Sequence, residues 1–529
     1  MTPRPHAEPA RQPARRSAWL FGLAGAATAV IGRTITADGA VPWSSAWPYL
    51  AIAALTPLFG LVAAAARRLV ERPRRRPLAV WANRRRTFWL EWAAIWLAWT
   101  PVWLSGWPGF WCYDATSAYL DAKGGRLTTA LPPLHTHLAT GLQAAVARWT
   151  GADNYGIAAF ILVQSLAVAG VFAYTLRRLR AWGAPQSARW GALAYYGLFP
   201  TVALFSLSWV RNTAFSAVLL ALAVCLVDAL RARSRGGPRW WLVGLLAVAA
   251  ITLRRDAIYV FVAFTAIVLA GRRPARKAMA LCFAAASAAG LLIDPLIYKG
   301  LMGLPAGTTA AAYSLPLQQL ARVRANPPPD SLTRDQERRL ESFVKPKALD
   351  RYRPQLADPV IVGADMRRIK RDRLGFVRLW AEVGREHPAA YADAALAATV
   401  QGWLPGAVID AYAYPGTEHA YPPTGTCYFC YAAERPGVAE SKGPRFIHGF
   451  YAAFSYKSRF HFELPVLGWL FSPGAHLWGF AFGLAVAAAG TRRGRPSAFA
   501  PVALLVLTSC LPIFLGPAML VRYFLQLFY

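Results

Sequence analysis

The chain has 529 residues, of which 56% are hydrophobic and 16% charged, and its mean hydropathy is +0.30. A soluble globular protein carries roughly 25% charged residues, so the composition excludes an ordinary soluble domain. The net charge of +32 does not indicate nucleic-acid binding, because the arginines form short runs between apolar blocks, as in cytoplasmic loops of membrane proteins. We expect a multi-pass protein of the cell membrane with no nucleic-acid partner and a cytoplasmic N-terminus.

The apolar blocks predict an all-α polytopic membrane protein with about eleven transmembrane helices. Residues 1–16 precede the blocks and read as a disordered, basic cytoplasmic tail. The predicted spans are 17–32, 47–66, 88–105, 155–176, 188–205, 212–230, 240–253, 257–270, 278–297, 465–489 and 498–517. This count places the arginine runs on one side, as the positive-inside rule requires.

The spans divide the chain into a transmembrane module at 17–297, an extracytoplasmic domain at 298–464 and C-terminal transmembrane helices at 465–529. The domain is expected to be mainly helical. Its periodic segments, each predicted to be one helix, are 333–344, 367–385 and 388–404.

Two segments depart from plain membrane spans. The stretch 132–149 is apolar, but crossing there would reverse every later arginine run, so we expect an interfacial or re-entrant helix. The arms beside Arg254-Arg255-Asp256 hold about 14 residues each, or about 21 Å of helix, which is shorter than a bilayer core of about 30 Å. The turn is therefore predicted to lie below the outer surface, unless the outer leaflet bends to meet it.

The outer loop 106–154 carries the residues best suited to catalysis. Asp114 opens the loop, and His135 and His137 follow a double proline. A carboxylate at the mouth of a helix bundle can act as a general base, although an aspartate there can also cap the next helix. The histidines can equally be polar residues of the membrane interface.

Cys427 and Cys430 form a CxxC pair in the predicted extracytoplasmic domain. We expect a local disulfide, because that location is oxidising. Zinc needs four ligands, and the chain has no second CxxC, so no metal is predicted there.

Several motifs resemble those of GT-C membrane glycosyltransferases. Asp114 followed by a helical stretch and Pro132-Pro133-Leu134-His135 resembles their first outer loop. Segments 206–213, 253–259 and 314–322 and the terminal Arg522-Tyr523 resemble, in the same order, the "SLxWKDxxF", "LRxNGxY", "PxQQxAR" and "RY" motifs of an uncharacterised bacterial membrane family related to GT-C. The resemblance runs from about residue 88 to the C-terminus.

The resemblance implies transfer of a sugar from a polyprenyl-phosphate donor to a glycan, lipid or protein acceptor in the cell envelope, with membrane lipids as surroundings. Asp114 would be the catalytic base, and His135 and Gln319 would position substrate. The phosphate of the donor needs guanidinium partners. The candidates for that role are Arg211, Arg254, Arg255 and Arg522.

The sequence also departs from these relatives. Arg211-Asn212 stands where they have Lys-Asp, and Asp114 is single where they often have an acidic pair. No cofactor is therefore certain, and a divalent metal stays an open alternative. A transporter or lipid flippase, and an inactive GT-C-like scaffold, are the competing functions.

Overall fold

The computed structural model describes a largely helical chain. The described residues are 12–71, 85–111, 113–129, 133–231, 239–271, 275–307, 310–407, 443–454, 464, 466–492 and 497–529. Within them, the all-α prediction is confirmed apart from one pair of two-residue parallel strands, Phe110–Trp111 (β1) and Ser208–Trp209 (β2).

The first twelve helices cover the N-terminal half of the chain. They are α1 (Gln12–Asp38), α2 (Trp47–Glu71), α3 (Arg85–Ser105), α4 (Tyr113–Lys123), α5 (Pro133–Thr150), α6 (Asp153–Ala181), α7 (Gln186–Leu198), α8 (Pro200–Ser206), α9 (Arg211–Arg231), α10 (Trp240–Leu253), α11 (Ala257–Ala270) and α12 (Arg276–Ile293).

The remaining helices are shorter on average. They are α13 (Ser314–Arg324), α14 (Arg334–Glu341), α15 (Pro346–Leu349), α16 (Asp358–Val362), α17 (Met366–Arg371), α18 (Arg373–Glu386), α19 (Pro388–Trp403), α20 (Arg445–Ala452), α21 (Pro473–Arg492), α22 (Phe499–Ser509) and α23 (Leu525–Phe528). A π-helix, Asp294–Leu301, continues α12, and 3₁₀ turns cover Ala310–Tyr313, Leu467–Phe471, Leu511–Leu515 and Val521–Phe524.

Five helices in the described part are long and apolar enough to cross a membrane. They are Ala18–Asp38, Trp47–Arg68, Asp153–Ala181, Arg211–Arg231 and Arg276–Leu301. Large apolar side chains on them face outward, such as Leu50 and Leu61, which are 67% and 70% exposed. Exposed apolar surface of this kind fits a lipid surrounding. The count of eleven spans stays a prediction.

Within the described residues the eleven predicted spans are mainly helical, but four are not single α-helices. The segments 465–489 and 498–517 each combine an α-helix with a 3₁₀ turn. The segment 188–205 is divided between α7 and α8, because Phe199 precedes Pro200 and is extended, as a residue before proline prefers. The segment 278–297 changes from α-helix to π-helix at Asp294. Pro295 lacks the N–H that a regular α-helix would use there. The short hairpin agrees with the prediction, since α10 and α11 have 14 residues each.

Two apolar cores hold the helices together. One joins α3, α6, α8 and the C-terminal residues through side chains such as Trp99, Phe172 and Phe205. The other joins α9 to α12, with Phe264 and Phe283 fully buried. Helices α6 and α9 are the most enclosed of the five long apolar helices. In their most apolar stretch of 18 residues, 61% and 67% is buried inside the protein. They therefore form the centre of the bundle.

Helices α13 to α19 form a separate packed unit, here called the helical domain, with its own apolar core. The segment 367–385 was predicted as one helix, and this is wrong. Asp372 interrupts it, because its carboxylate accepts a hydrogen bond from the Gly375 N–H at 2.9 Å and so caps a new helix, α18.

The helical domain is fixed to the N-terminal helices through α19. The buried Asp393 accepts hydrogen bonds from the Val41 N–H at 3.1 Å and from Trp43 Nε1 at 2.9 Å, both in the connection between α1 and α2. Leu404, just beyond α19, packs closely on Gly32 of α1. A Cβ added at Gly32 would lie 2.4 Å from the Leu404 side chain. The far end of α19 therefore lies against α1.

Candidate functional site

The strand pair aligns two parts of the chain that are distant in sequence. Phe110 pairs with Ser208 and Trp111 with Trp209, in parallel register. Helices α4 and α9 begin two residues beyond the pair. The start of the outer-loop helix, where Asp114 lies in the chain, and the start of α9 at Arg211 are therefore on the same side of the pair. The side chain of Asp114 is outside the described residues.

His135, in the first turn of α5, is buried beside this pair. Its ring lies edge-on to Phe160 at 5.5 Å and to Trp209 at 5.4 Å. Burial, and then the positive charge of Arg211, lower the pKa of His135 to about 4. The imidazole is therefore neutral at neutral pH. A weaker side-chain hydrogen bond with Gln164 opposes this shift. No described group bonds Nε2 with ordinary hydrogen-bond geometry, so this nitrogen can bind a polar substrate group.

Arg254 and Arg522 meet at Tyr523. The Nε of Arg254 lies 2.9 Å from both carboxylate oxygens of Asp256, and its Nη1 donates to the Tyr523 carbonyl at 3.3 Å. The buried Arg522 donates from Nη2 to the Tyr523 hydroxyl at 3.0 Å. The Arg254 guanidinium also lies 5.3 Å from the ring centre of Phe215, one helical turn beyond the start of α9 at Arg211.

Arg255 lies at the polar end of a cavity of about 270 Å³ between α10, α11 and α12. Its Nη2 is 2.6 Å from Asp294 Oδ1, and Lys299 Nζ is 3.2 Å from the other oxygen of that carboxylate. Apolar residues form the wall beyond it: Ile251, Ile258, Gly290, Leu291, Ile293 and Pro295. Leu291 is 64% exposed. The cavity therefore combines a charged end with an apolar, outward-facing wall, which is the shape an amphiphile fits.

The outer loop 106–154 closes onto the segment that follows α12. The Thr129 N–H donates to the Pro305 carbonyl at 2.9 Å, and the Gly307 N–H donates to the Thr129 hydroxyl at 3.3 Å. The Tyr298 hydroxyl, which lines the cavity, meets the backbone N–H of Leu134 beside His135. His135 and the Arg255 cavity are therefore neighbours.

The structure thus brings the four predicted arginines and His135 to one end of the bundle. Five cations meet there: Arg211, Arg254, Arg255, Lys299 and Arg522. The described carboxylates paired with them are those of Asp256 and Asp294. This arginine-rich end is here called the cationic cluster, and guanidinium and ammonium groups of this kind suit an anionic ligand.

The other predicted site residues lie elsewhere. Gln319 is in the helical domain, where its Oε1 accepts from Trp380 Nε1 at 2.8 Å and its Nε2 donates to the Tyr391 carbonyl at 3.3 Å. Both polar atoms of the Gln319 amide are thus bonded within the helical domain, and neither bonds a residue of the cationic cluster. Cys427 and Cys430 are outside the described residues. Within the described ranges, no group of three or more His, Cys, Asp or Glu side chains could hold a metal ion.

Sequence reasoning missed five residues of the site. Asp294, Tyr298 and Lys299 lie at or just beyond the end of a predicted span, and a carboxylate at the end of an apolar run was the signal that could have found Asp294. Trp209 packs on His135, and Gln164 holds the strand pair by donating from Nε2 to the carbonyl oxygens of Ser206 at 3.2 Å and Ser208 at 2.8 Å. Both act through long-range contacts that leave no local sequence pattern.

Fold and site define an all-α protein with several membrane-length helices and a cationic, apolar-walled cavity at one end. Residues 66–514 match a family described as a family of unknown function (DUF6020), and the chain belongs to that family. The match includes every residue of the cationic cluster except Arg522 and its neighbour Tyr523. Among curated proteins and solved structures, none matches the chain.

Proposed function

We propose that this chain is a membrane glycosyltransferase that moves a sugar from a polyprenyl-phosphate donor to an acceptor on the extracytoplasmic side. The observation that carries the proposal is the cationic cluster beside an apolar-walled cavity. A polyprenyl phosphate has the same two parts, an anionic headgroup and a long apolar chain, so one ligand satisfies both.

Arg255 is the proposed headgroup ligand. Its guanidinium and the Lys299 ammonium both pair with Asp294 in the resting chain. A phosphate can replace that carboxylate, because arginine binds either anion with two parallel hydrogen bonds. The isoprenoid chain then lies along the apolar wall near Leu291, on the outward side of the cavity.

Asp114 is the proposed base. Its carboxylate takes the proton of the acceptor hydroxyl while the acceptor oxygen forms a bond to the anomeric carbon. The bond from that carbon to the phosphate oxygen breaks, and polyprenyl phosphate leaves with the electron pair. The alignment of β1 with β2 supports this role, because it brings the start of α4 toward Arg211. His135 is a positioning residue, since its neutral Nε2 is available to a sugar hydroxyl. Gln319 is left out of this scheme because its amide is already bonded.

A lipid flippase is the second candidate. The outward-facing apolar wall of the Arg255 cavity favours it, since a lipid phosphate could enter from the membrane without any bond being broken. The two functions differ in chemistry: a transferase releases polyprenyl phosphate from its sugar, whereas a flippase only moves the intact lipid.

The test uses the full chain in proteoliposomes that contain polyprenyl-phosphate-linked sugars, with a membrane-envelope extract as acceptor. We expect release of polyprenyl phosphate, and Asp114→Asn should lower the rate by about 10²–10⁴-fold, the usual contribution of a general base. Asp121→Asn is the matched control, because Asp121 lies on the same helix with a half-exposed side chain. Release that is unaffected by Asp114→Asn would refute the role of the base. Lipid movement without release would favour the flippase.

A further inference from the structure

The outer face of α17 and α18 carries a dense set of basic side chains. Those that are exposed are Arg367, Arg368, Lys370, Arg371, Arg373, Arg378 and Arg385. They lie on the surface of the helical domain, and the proposed function gives them no role.

The stretch 365–386 holds seven basic and four acidic residues, so its carboxylates offset only part of this charge. Asp365 accepts hydrogen bonds from the Arg367 and Arg368 N–H groups, both at 3.0 Å, and Asp372 accepts one from Gly375. Glu382 pairs with Arg339 and Gln336 of α14, and Glu386 accepts from Gln336 at 2.7 Å. The face therefore presents a positive field to its surroundings.

Apolar side chains lie within this basic face. Leu374 and Val377 are one helical turn apart on α18 and are 69% and 51% exposed. The opposite side of the same helix buries Phe376, Leu379 and Val383 in the core of the helical domain. Helix α18 thus has a second apolar ridge that the rest of the described chain leaves uncovered.

We propose that this face docks on the anionic phospholipid surface of the membrane in which the chain is embedded. Exposed leucine and valine flanked by arginine is the pattern of helices that lie in the membrane interface, and phosphate headgroups complement the positive field. Helix α19 follows α18 directly and spans about 24 Å from end to end. Its far end packs on α1 at Leu404, so the membrane-length helices hold the face near the bilayer.

The test measures amide hydrogen exchange of the full chain in nanodiscs of phosphatidylcholine alone and of phosphatidylcholine with phosphatidylglycerol. We expect exchange in residues 366–381 to be slower by about fivefold or more with the anionic lipid, since each basic residue near an anionic surface contributes about that factor. Arg371→Gln combined with Arg378→Gln should remove most of the difference.

The matched control is Arg334→Gln combined with Arg338→Gln, two exposed arginines one turn apart on α14 of the same domain. The control should keep the slower exchange. Equal exchange in both lipids would overturn the proposal. If the control variant lost the slower exchange to the same extent, the proposal would also be overturned, because the effect would then depend only on net charge.

Discussion

At His135, burial and the charge of Arg211 act in the same direction, and both lower the pKa of the imidazole, to about 4. In an unfolded chain the pKa of a histidine side chain is about 6.5. Between these values the unfolded state binds a proton that the folded state does not. The contribution to stability is therefore complete above about pH 6.5 and is lost as the pH falls toward about 4.

His135→Gln should make the stability of the chain less dependent on pH in this range. Between about pH 6.5 and about pH 4, the free energy of unfolding of wild type should fall by up to about 3 kcal/mol more than that of the variant. This follows from about 1.4 kcal/mol per pKa unit. The measurement is the thermal unfolding temperature in detergent at a series of pH values. Parallel curves for the two proteins would show that His135 does not stay neutral in the folded state.

The sequence alone was sufficient to select Arg254 and Arg255, because charged residues between two short apolar helices are conspicuous. It was not sufficient to find their partners. Asp294 reaches Arg255 only because α11 and α12 pack side by side. Gln319 shows the converse error: its motif suggested a role with substrate, but its bonds to Trp380 and Tyr391 depend on how α13 packs against α18 and α19.

Among the elements, helix positions follow from the sequence because apolar blocks and prolines mark them. Helix α5 begins at Pro133 and the short hairpin has arms of 14 residues, as predicted. The strand pair could not be predicted, since two-residue strands have no periodicity. Asp372 was missed because the cap depends on its side chain and not on an interruption of the apolar pattern.

The contact between α5 and α6 is close enough to be tested by a single methyl group. A Cβ at Gly156 would lie 2.3 Å from the Gln143 carbonyl oxygen, whereas a Cβ at Gly141 on α5 would meet nothing within 4 Å. Gly156→Ala should destabilise the protein by about 1–3 kcal/mol through overpacking. Gly141→Ala, the matched control, should stabilise it by up to about 1 kcal/mol. Thermal unfolding of both variants decides the point, and equal effects would contradict this packing.

At the scale of the whole molecule, the contact of Thr129 with Pro305 and Gly307 joins the outer loop to the segment before the helical domain. The predicted topology puts both outside and the connection between α6 and α7 inside. An impermeant thiol reagent should label Asp330→Cys from the outside of intact cells. The reagent should reach Ser187→Cys, in the first turn of α7 beside that connection, only after the cells are opened. Both positions are exposed.

The labelled peptide is identified by mass, because the chain has six cysteines of its own. Labelling of position 187 in intact cells would show that the predicted topology is inverted. It would also move the proposed chemistry to the cytoplasmic side.

The affinity of the purified chain for polyprenyl phosphate tests most directly whether the cationic cluster binds a lipid phosphate. Arg255→Gln should weaken binding by about tenfold to a hundredfold, as expected for a lost charge-assisted hydrogen bond of about 1.5–3 kcal/mol. Asp294→Asn should strengthen it, because the carboxylate competes with the phosphate for Arg255 and Lys299. Arg148→Gln, an exposed arginine on α5, is the control and should bind as the wild type does. Affinities for Arg255→Gln and Asp294→Asn that are unchanged, or that shift in the same direction, would contradict the account.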